Sequence, residues 1–436
     1  MSRALLLLGH GSHLDPNSSE PVHAHAARIR AMGAFDAVRA AFWKEEPSFA
    51  RALDGLDVDE VVAVPVFISS GYFTESVIPR ELGLEGAITV RGGMRIRYTP
   101  PIGADAVLAN VVAQRAMEAG AGPEDAVAVL GHGTPRNPNS ERNVYLQAEL
   151  LAASGRFAEV VTVFLEQEPH MSRVLELTAA ERVIVVPLFI ADGWHVGESI
   201  PADLALEGPE TRRDGRVLRY ARAVGTHPAV ADVVLDLAGE GDAPAGPPAT
   251  PAWVEGAFAA AEGFAFGELA VRFEGPVAVV EPPAAGSQVD ISRVPGMVRE
   301  RPGGGYRPLT GEVGLPGGWS VRCETAPALF TALETVYPLA AVHAGQEAVG
   351  ALRVVELEAV LRRQSGRYGA VAVADEAVRA GAVRSTCGRC VRVPRWRPPA
   401  GVALESTAGG VTVSCPEPCG ILIENIRART TGDGEG

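Results

Sequence analysis

Lysine is almost absent: Lys44 is the only one in 436 residues, and every other basic side chain is an arginine. In a chain so rich in alanine and glycine this reads as codon bias and carries little chemistry. Cysteine is scarce too, five residues with four crowded near the C-terminus. That distribution suits a metal or cluster site better than a disulfide framework. Long apolar runs are missing. Near the N-terminus only Ala4 to Leu8 is uninterrupted, far short of the ~20 residues of a membrane span. A secretory signal would need a longer apolar stretch and a small-residue cleavage site. The expectation is a cytoplasmic protein with no membrane partner. Positive charge is outweighed, 39 basic against 53 acidic residues for a formal −14, which argues against wholesale binding to nucleic acid or anionic lipid. What is present is enough apolar sequence, 47%, for a sizeable core spread over roughly two to four domains.

The chain also contains a repeat. "LLLLGHGSHLDPNS" near the N-terminus is echoed by "VLGHGTPRNPNS" from Val129, and His10 and His132 stand 122 positions apart. The same offset relates Asn17 to Asn139, Glu46 to Glu168, Pro47 to Pro169, Gly71 to Gly193, Pro79 to Pro201 and Tyr98 to Tyr220. One register held this long without a net insertion marks two copies of one unit. Each copy alternates short apolar runs with helical patterns. In the first, strands are expected at 4–9, 37–43, 60–68 and 94–98, and helices at 18–32, 47–56, 75–84 and 105–119. Strands apolar on both faces, alternating with helices, mean a parallel sheet covered on both sides. Such sheets bind ligands beyond the carboxyl ends of their strands. Gly-His-Gly follows strand one in both copies, so His10 and His132 sit at the functional edge by topology.

After Leu237, "GEGDAPAGPPATPA" reads as a linker, and nothing beyond Trp253 echoes the repeat. The expected organisation is two α/β halves, 1–120 and 121–239, a linker at 240–252, an appended domain at 253–325, and a helical, cysteine-rich domain at 326–436. Helical patterns there cover 326–339 and 349–364.

At the third strand-to-helix junction, copy one reads "VPVFISSGYFTESVIP" and copy two "VPLFIADGWHVGESIP". Phe73 therefore occupies the position of His195. Copy two carries two histidines at strand ends, His132 and His195, and copy one keeps only His10. Two neutral imidazoles on one sheet edge can bind a borderline divalent metal, or divide the roles of ligand and base. His13, His23, His25, His227 and His343 have no such support and read as surface or loop residues. His170, beside Glu166 and Glu168, reads as a helix-start or rim residue. A histidine phosphatase is disfavoured, because glycine rather than arginine precedes His10 and His132.

The duplicated "GHGS"/"GHGT", "FLEQEP" and "PLFIADGWHVGESIP" segments resemble the class II tetrapyrrole chelatases, closest to the sirohydrochlorin cobalt and iron chelatases of the CbiX type. The resemblance spans residues 3–238. It implies two tandem flavodoxin-like, doubly wound parallel-sheet domains, with a smaller α+β region appended. It implies insertion of Co²⁺ or Fe²⁺ into sirohydrochlorin in a cleft between the halves, the tetrapyrrole being the small-molecule partner. The metal-holding, proton-accepting histidines carry over to His132 and His195, and His10 only to the first position of the other copy. Phe73 breaks that copy's pair, so one active site is expected, with Glu75 facing it as a carboxylate. Ser199 and Val77 stand where the pattern has an acid, with Glu198 one place earlier. Fusion of the halves implies a monomer. The competing non-enzyme reading is a tetrapyrrole or metal carrier or sensor.

A polycarboxylate substrate needs cations. "RRDGRVLRYAR" supplies Arg212, Arg213 and Arg216, with Arg219 and Arg222 beyond, and the arginine fork suits carboxylates. The cysteines fall as C-x2-C at Cys387 and Cys390 and C-x3-C at Cys415 and Cys419, with 24 residues between. Four thiolates accept Zn²⁺ or an iron–sulfur cluster. Pro416 after Cys415 favours a [4Fe–4S] cluster. The resemblance points the same way, since some such chelatases carry an appended iron–sulfur site. Cys323 is distant and reads as buried or as a substitute ligand.

Overall fold

The computed structural model describes residues 2–13, 15–134, 139–239, 250–299, 315–389, 413 and 415–432. The chain folds as two compact units. One comprises residues 1–10, 17–40 and 58–245, the other 11–16, 41–57 and 246–436.

The first unit holds the second copy and most of the first. Strands β1 (Arg3–Gly9), β2 (Ala37–Phe42), β3 (Glu60–Pro65), β4 (Ile88–Arg91) and β5 (Met94–Tyr98) form a sheet ordered β2-β1-β3-β5-β4. Strands β6 (Ala126–Gly131), β7 (Glu159–Phe164), β8 (Arg182–Pro187), β9 (Glu210–Arg213) and β10 (Arg216–Tyr220) repeat it as β7-β6-β8-β10-β9. The pairs β1/β3, β3/β5, β6/β7, β6/β8 and β8/β10 are parallel, as the apolar runs require. Leu5 to Leu8 are at most 1% exposed, and each such side chain stabilises the fold by about 1.5–3 kcal/mol. The edge strands β4 and β9 run antiparallel. The periodicity misses β4 because it is four residues long and three of them are exposed. The helix predicted over 47–56 does not form beyond a short turn at Phe49–Arg51. The Phe42 amide instead donates to the Pro47 carbonyl, so the chain doubles back along β2, and Gly55 at φ 62° turns it away.

The copies pack through a repeated contact. From the helix Glu20–Met32, His25 Nε2 donates to the Gly225 carbonyl at 2.8 Å. From the equivalent helix, Asn139–Ala153, Gln147 Nε2 donates to the Gly103 carbonyl at 3.0 Å. A Cβ at Gly103 would lie 1.7 Å from the Ile68 carbonyl oxygen, and one at Gly225 2.3 Å from that of Ile190, so only glycine fits. His25 is thus a core residue, not the surface one its sequence context suggests. His227 and His343 are buried as well.

The second unit contains β11 (Phe264–Phe266), β12 (Leu269–Glu274), β13 (Val277–Glu281), β14 (Ala285–Gln288) and β15 (Trp319–Cys323), ordered β11-β12-β13-β15-β14. One core joins Val254, Phe266 and Trp319 to Leu329, Leu333, Tyr337 and Ala344. The boundary expected between 325 and 326 cuts through it, because the helix Ala326–Val336 covers this sheet. A separate small core gathers Leu357, Leu361, Val371, Ala382, Leu422 and Ile426. The helix expected over 349–364 is only Leu357–Arg362, and the Val355 amide donates to the Pro416 carbonyl. No helix among the described residues is long and apolar enough to cross a membrane.

Burial lowers the His25 pKa to about 4 from an ordinary 6.5. The folded chain therefore keeps this imidazole neutral while the unfolded chain protonates it. Its contribution is complete above pH 6.5 and is lost as pH falls towards 4, about 3 kcal/mol in all. His25→Gln should preserve the hydrogen bond, as Gln147 does in the other copy. Chemical denaturation at pH 7 and pH 5 should show the variant losing distinctly less stability than wild type. Equal losses would refute the assignment.

Candidate metal centre

His132 is the first residue beyond β6. Gly133 follows at φ 67°, and a Cβ there would collide with the Gln167 side chain. Gln167 Oε1 accepts the Thr134 amide at 2.9 Å. Copy one builds the same turn, with Gly11 at φ 65° and Glu45 Oε1 accepting the Ser12 amide at 2.7 Å. The second glycine of each Gly-His-Gly is thus required by backbone conformation and by close approach of the strand-two loop.

His132 Nδ1 lies 2.7 Å from the Gly133 carbonyl. A carbonyl can only accept, so Nδ1 carries the proton and Nε2 keeps the lone pair a metal needs. His195 opens a π-helical turn, His195–Ser199, after β8. Its ring meets His132 edge to face, centroids 5.4 Å apart at 85°. His195 Nδ1 is buried with no hydrogen-bond partner. Burial, then the neighbouring His132, hold the His195 pKa below the usual imidazole value, opposed by Glu166. Tyr220 steadies the turn by donating to the Val196 carbonyl at 3.0 Å. The structure therefore brings together His132 and His195, as the sequence predicts.

It adds Glu166, which the sequence reading placed only beside His170. The Glu166 amide donates to the His132 carbonyl, and its carboxylate stands 3.8 Å from His132 Nδ1. The missed signal is the offset itself: Lys44 occupies the Glu166 position in copy one. There an ammonium replaces the carboxylate just as Phe73 replaces His195. Phe73 packs on His10 in the same pose, 4.7 Å and 88°. Among the described residues no three His, Cys, Asp or Glu side chains already converge at coordination distance. Glu166 is half exposed.

Other expected site residues lie elsewhere. Glu75 is exposed on the copy-one turn Phe73–Val77, and no described hydrogen bond or ion pair links it to the histidine pair. Arg212, Arg213 and Arg216 belong to the β9–β10 hairpin. Val217 pairs with Arg182, the first residue of β8, so they sit at the amino edge of the sheet, opposite the histidines. Arg213 donates to the Leu204 carbonyl, Arg216 to those of Ala180 and Leu175, and Arg212 pairs with Glu210. That placement does not bring them to the histidine pair. Only Arg222, past β10, reaches the histidine edge, paired at 2.9 Å with Asp192. His170 caps the short turn Met171–Glu176 by accepting the Ser172 amide.

In the second unit, Cys387 ends the helix Glu376–Thr386 and Cys419 precedes the helix Gly420–Thr431. Asn425 bonds Ser385 and Thr386 while Arg429 reaches Ser385. The helices thus run antiparallel, and both cysteines sit at one end of the pair, packed on the same small core. Cys415 is half-buried. Cys390 lies outside the described residues. Cys323 is buried in the other core, its thiol pushed up to about 12 by burial. A pair of thiols at a helix end against an apolar core fits a four-cysteine cluster or zinc.

A duplicated α/β sheet with one histidine pair at a strand edge is the arrangement that the chelatase resemblance implies. Matches to known proteins give the family: the CbiX model covers residues 4–119 and 126–240, and the chain belongs to the CbiX family. A model described as a 4Fe-4S iron–sulfur cluster binding domain matches residues 349–428. A probable sirohydrochlorin cobaltochelatase of Halobacterium salinarum is 42% identical over 272 residues, 56% of this chain and 93% of that one. The sirohydrochlorin cobaltochelatase of Methanococcoides burtonii is 37% identical over 124 residues, 26% of this chain and 94% of its own. A crystal structure from Deinococcus radiodurans superposes over 99% of both chains with TM-score 0.79 and 26% identity. It is described as a multi-domain protein with structural similarity to chelatases and two additional novel domains.

A neutral His195 should persist below the ordinary imidazole pKa, so the acid limb of the kcat/KM profile for metal insertion should lie below pH 6.5. Glu166→Gln removes the one charge that raises His195 and should move the limb lower still. A limb at or above 6.5 in the wild type would contradict this electrostatic account.

Proposed function

We propose that the protein inserts Co²⁺ or Fe²⁺ into sirohydrochlorin, with one working site in the second copy. The observation that carries this reading is the His132–His195 pair, two imidazoles in edge contact with a carboxylate beside them. Nitrogen and oxygen donors of this kind suit first-row divalent ions and do not by themselves select one. His132 offers Nε2, and Glu166 swings in as a third donor. Insertion replaces two pyrrole N–H protons by one M²⁺, so charge balances when both protons leave. As the metal passes to the macrocycle, the freed neutral imidazole of His195 accepts one pyrrole proton and the Glu166 carboxylate takes the other. Copy one lacks the equipment: Phe73 cannot ligate, and the Lys44 ammonium would repel a cation. Both halves lie on one chain, and one chain is the working unit. His195→Ala should abolish formation of metallo-sirohydrochlorin, whereas His10→Ala should retain at least about half the initial rate. Equal loss would overturn the single-site reading, and tight binding of substrate without turnover in the wild type would mark a carrier.

The C-terminal cysteines are proposed to hold a [4Fe–4S] cluster through Cys387, Cys390, Cys415 and Cys419. The family match over 349–428 and Pro416 after Cys415 support this over zinc. Such a cluster supplies electron transfer or redox sensing, and insertion itself needs no electrons. Chain residues hold it: the paired helices fix Cys387 and Cys419, and the core beneath excludes water. Protein purified without oxygen should be brown, with about four irons and four sulfides per chain. Colourless protein with one zinc per chain would refute the cluster.

A further inference from the structure

Among the described residues, two aromatic side chains are largely exposed: Tyr72 at 61% and Trp194 at 66%. They are the same position in the two copies, 122 residues apart. Each directly precedes the residue, Phe73 or His195, that packs on the strand-one histidine of its copy. Trp194 touches His195 edge to face at 5.2 Å, and Tyr72 touches Phe73 at 5.6 Å. The degenerate copy has therefore lost its metal donors and kept its exposed ring.

The Tyr72 loop reaches the second copy. Ser69, three residues before Tyr72, donates to the Ser140 carbonyl at 2.8 Å, and Asn143 donates to the Ile68 carbonyl at 2.7 Å. Ser140 Oγ in turn accepts the Thr134 amide, two residues past His132. The Tyr72 loop is thus fastened to the segment that carries the metal centre. Each ring also has an exposed arginine near it. Arg80, paired with Glu81, hydrogen-bonds Tyr72. Arg222 pairs with Asp192, two residues before Trp194, while Asp192 Oδ1 accepts the Ala223 amide and so fixes the pair. The positions equivalent to Arg80 and Arg222 are Ala202 and Pro100, so each copy supplies one arginine at a different place.

Exposed rings kept at the same position of both copies, each against the residue that packs on the strand-one histidine, form a candidate binding surface, and a flat π-face flanked by guanidinium groups matches one ligand chemistry: an extended conjugated ring with carboxylates on its periphery. We propose that Tyr72 and Trp194 are the stacking contacts for the tetrapyrrole face, and that Arg80 and Arg222 grip its carboxylates. The copy without metal donors is thereby a substrate-binding half. This rests on the chelatase reading above and adds the division of labour: copy two holds the metal, and both copies hold the macrocycle.

The test is a titration of metal-free sirohydrochlorin into the full-length protein, followed by the absorbance of the macrocycle, alongside Co²⁺ binding measured separately. Tyr72→Ala and Trp194→Ala should each raise the macrocycle Kd about tenfold or more. Tyr72→Phe and Trp194→Phe, which keep a ring, should restore most of the affinity. Tyr72→Ala should bind Co²⁺ like wild type, which separates ring stacking from damage to the metal centre. Arg222→Ala should weaken macrocycle binding more at low than at high salt. If the wild type binds and inserts metal but both alanine variants bind the macrocycle unchanged, this inference falls and the chelatase reading stands. If the wild type fails to bind the macrocycle at all, both fall.

Discussion

The close approach of Gly103 and Gly225 to the neighbouring strand-three loops is the constraint on which the functional unit depends. Neither position tolerates a Cβ, and the carbonyl of each accepts from the opposite copy, through Gln147 and His25. One contact made twice fixes the two halves in a near-symmetric arrangement. It also seats the loops that end β3 and β8, and those loops carry Tyr72, Phe73, Trp194 and His195. A halo of small shifts there would alter the edge contact between His132 and His195 directly, since His195 has no hydrogen bond through Nδ1 to hold it.

Within that symmetric frame the copies differ at a few side chains. The strand-one turn is the same in both, with a left-handed glycine and a long side chain capping the next amide. At the two decisive positions the substitutions are matched in kind. Phe73 takes the place of an imidazole and keeps its packing. Lys44 takes the place of a carboxylate and reverses its charge. Desolvation lowers the Lys44 pKa to about 8, and its ammonium bonds Gln364 and lies over the rings of Trp43 and Tyr368.

Much of this was legible in the residues. The offset of 122 made the duplication visible, and apolar strands ending in glycine located the functional edge, because burial on both faces and the rule for parallel sheets are encoded locally. His132 and His195 followed from those two facts. Three of the arginines lie away from the histidine edge for a physical reason. Charge in a sequence says nothing about which end of a strand it occupies, and Arg216 begins β10 while Arg222 follows its end. Glu166 was hidden because its proximity to His132 arises from pairing of β6 with β7, a non-local contact. His25 was misread because a buried polar residue is recognised only by its partner, here 200 positions away.

The position of Lys44 also explains why the degeneracy is one-sided. Residues 11–16 and 41–57 of the first copy are part of the second unit. In it Ser48 donates to the buried Glu417 carboxylate of the "CPEPC" segment, and His13 packs on Tyr368 at 4.4 Å. A side chain at position 44 that must bond Gln364 and lie against Tyr368 is no longer available to hold a metal. The equivalent loop of the second copy, with Glu166 half exposed, has no such duty and keeps its carboxylate accessible. The loops that end β1 and β2 thus belong to the appended unit, those that end β6 and β7 carry His132 and the half-exposed Glu166, and the third loop of each copy keeps its exposed ring.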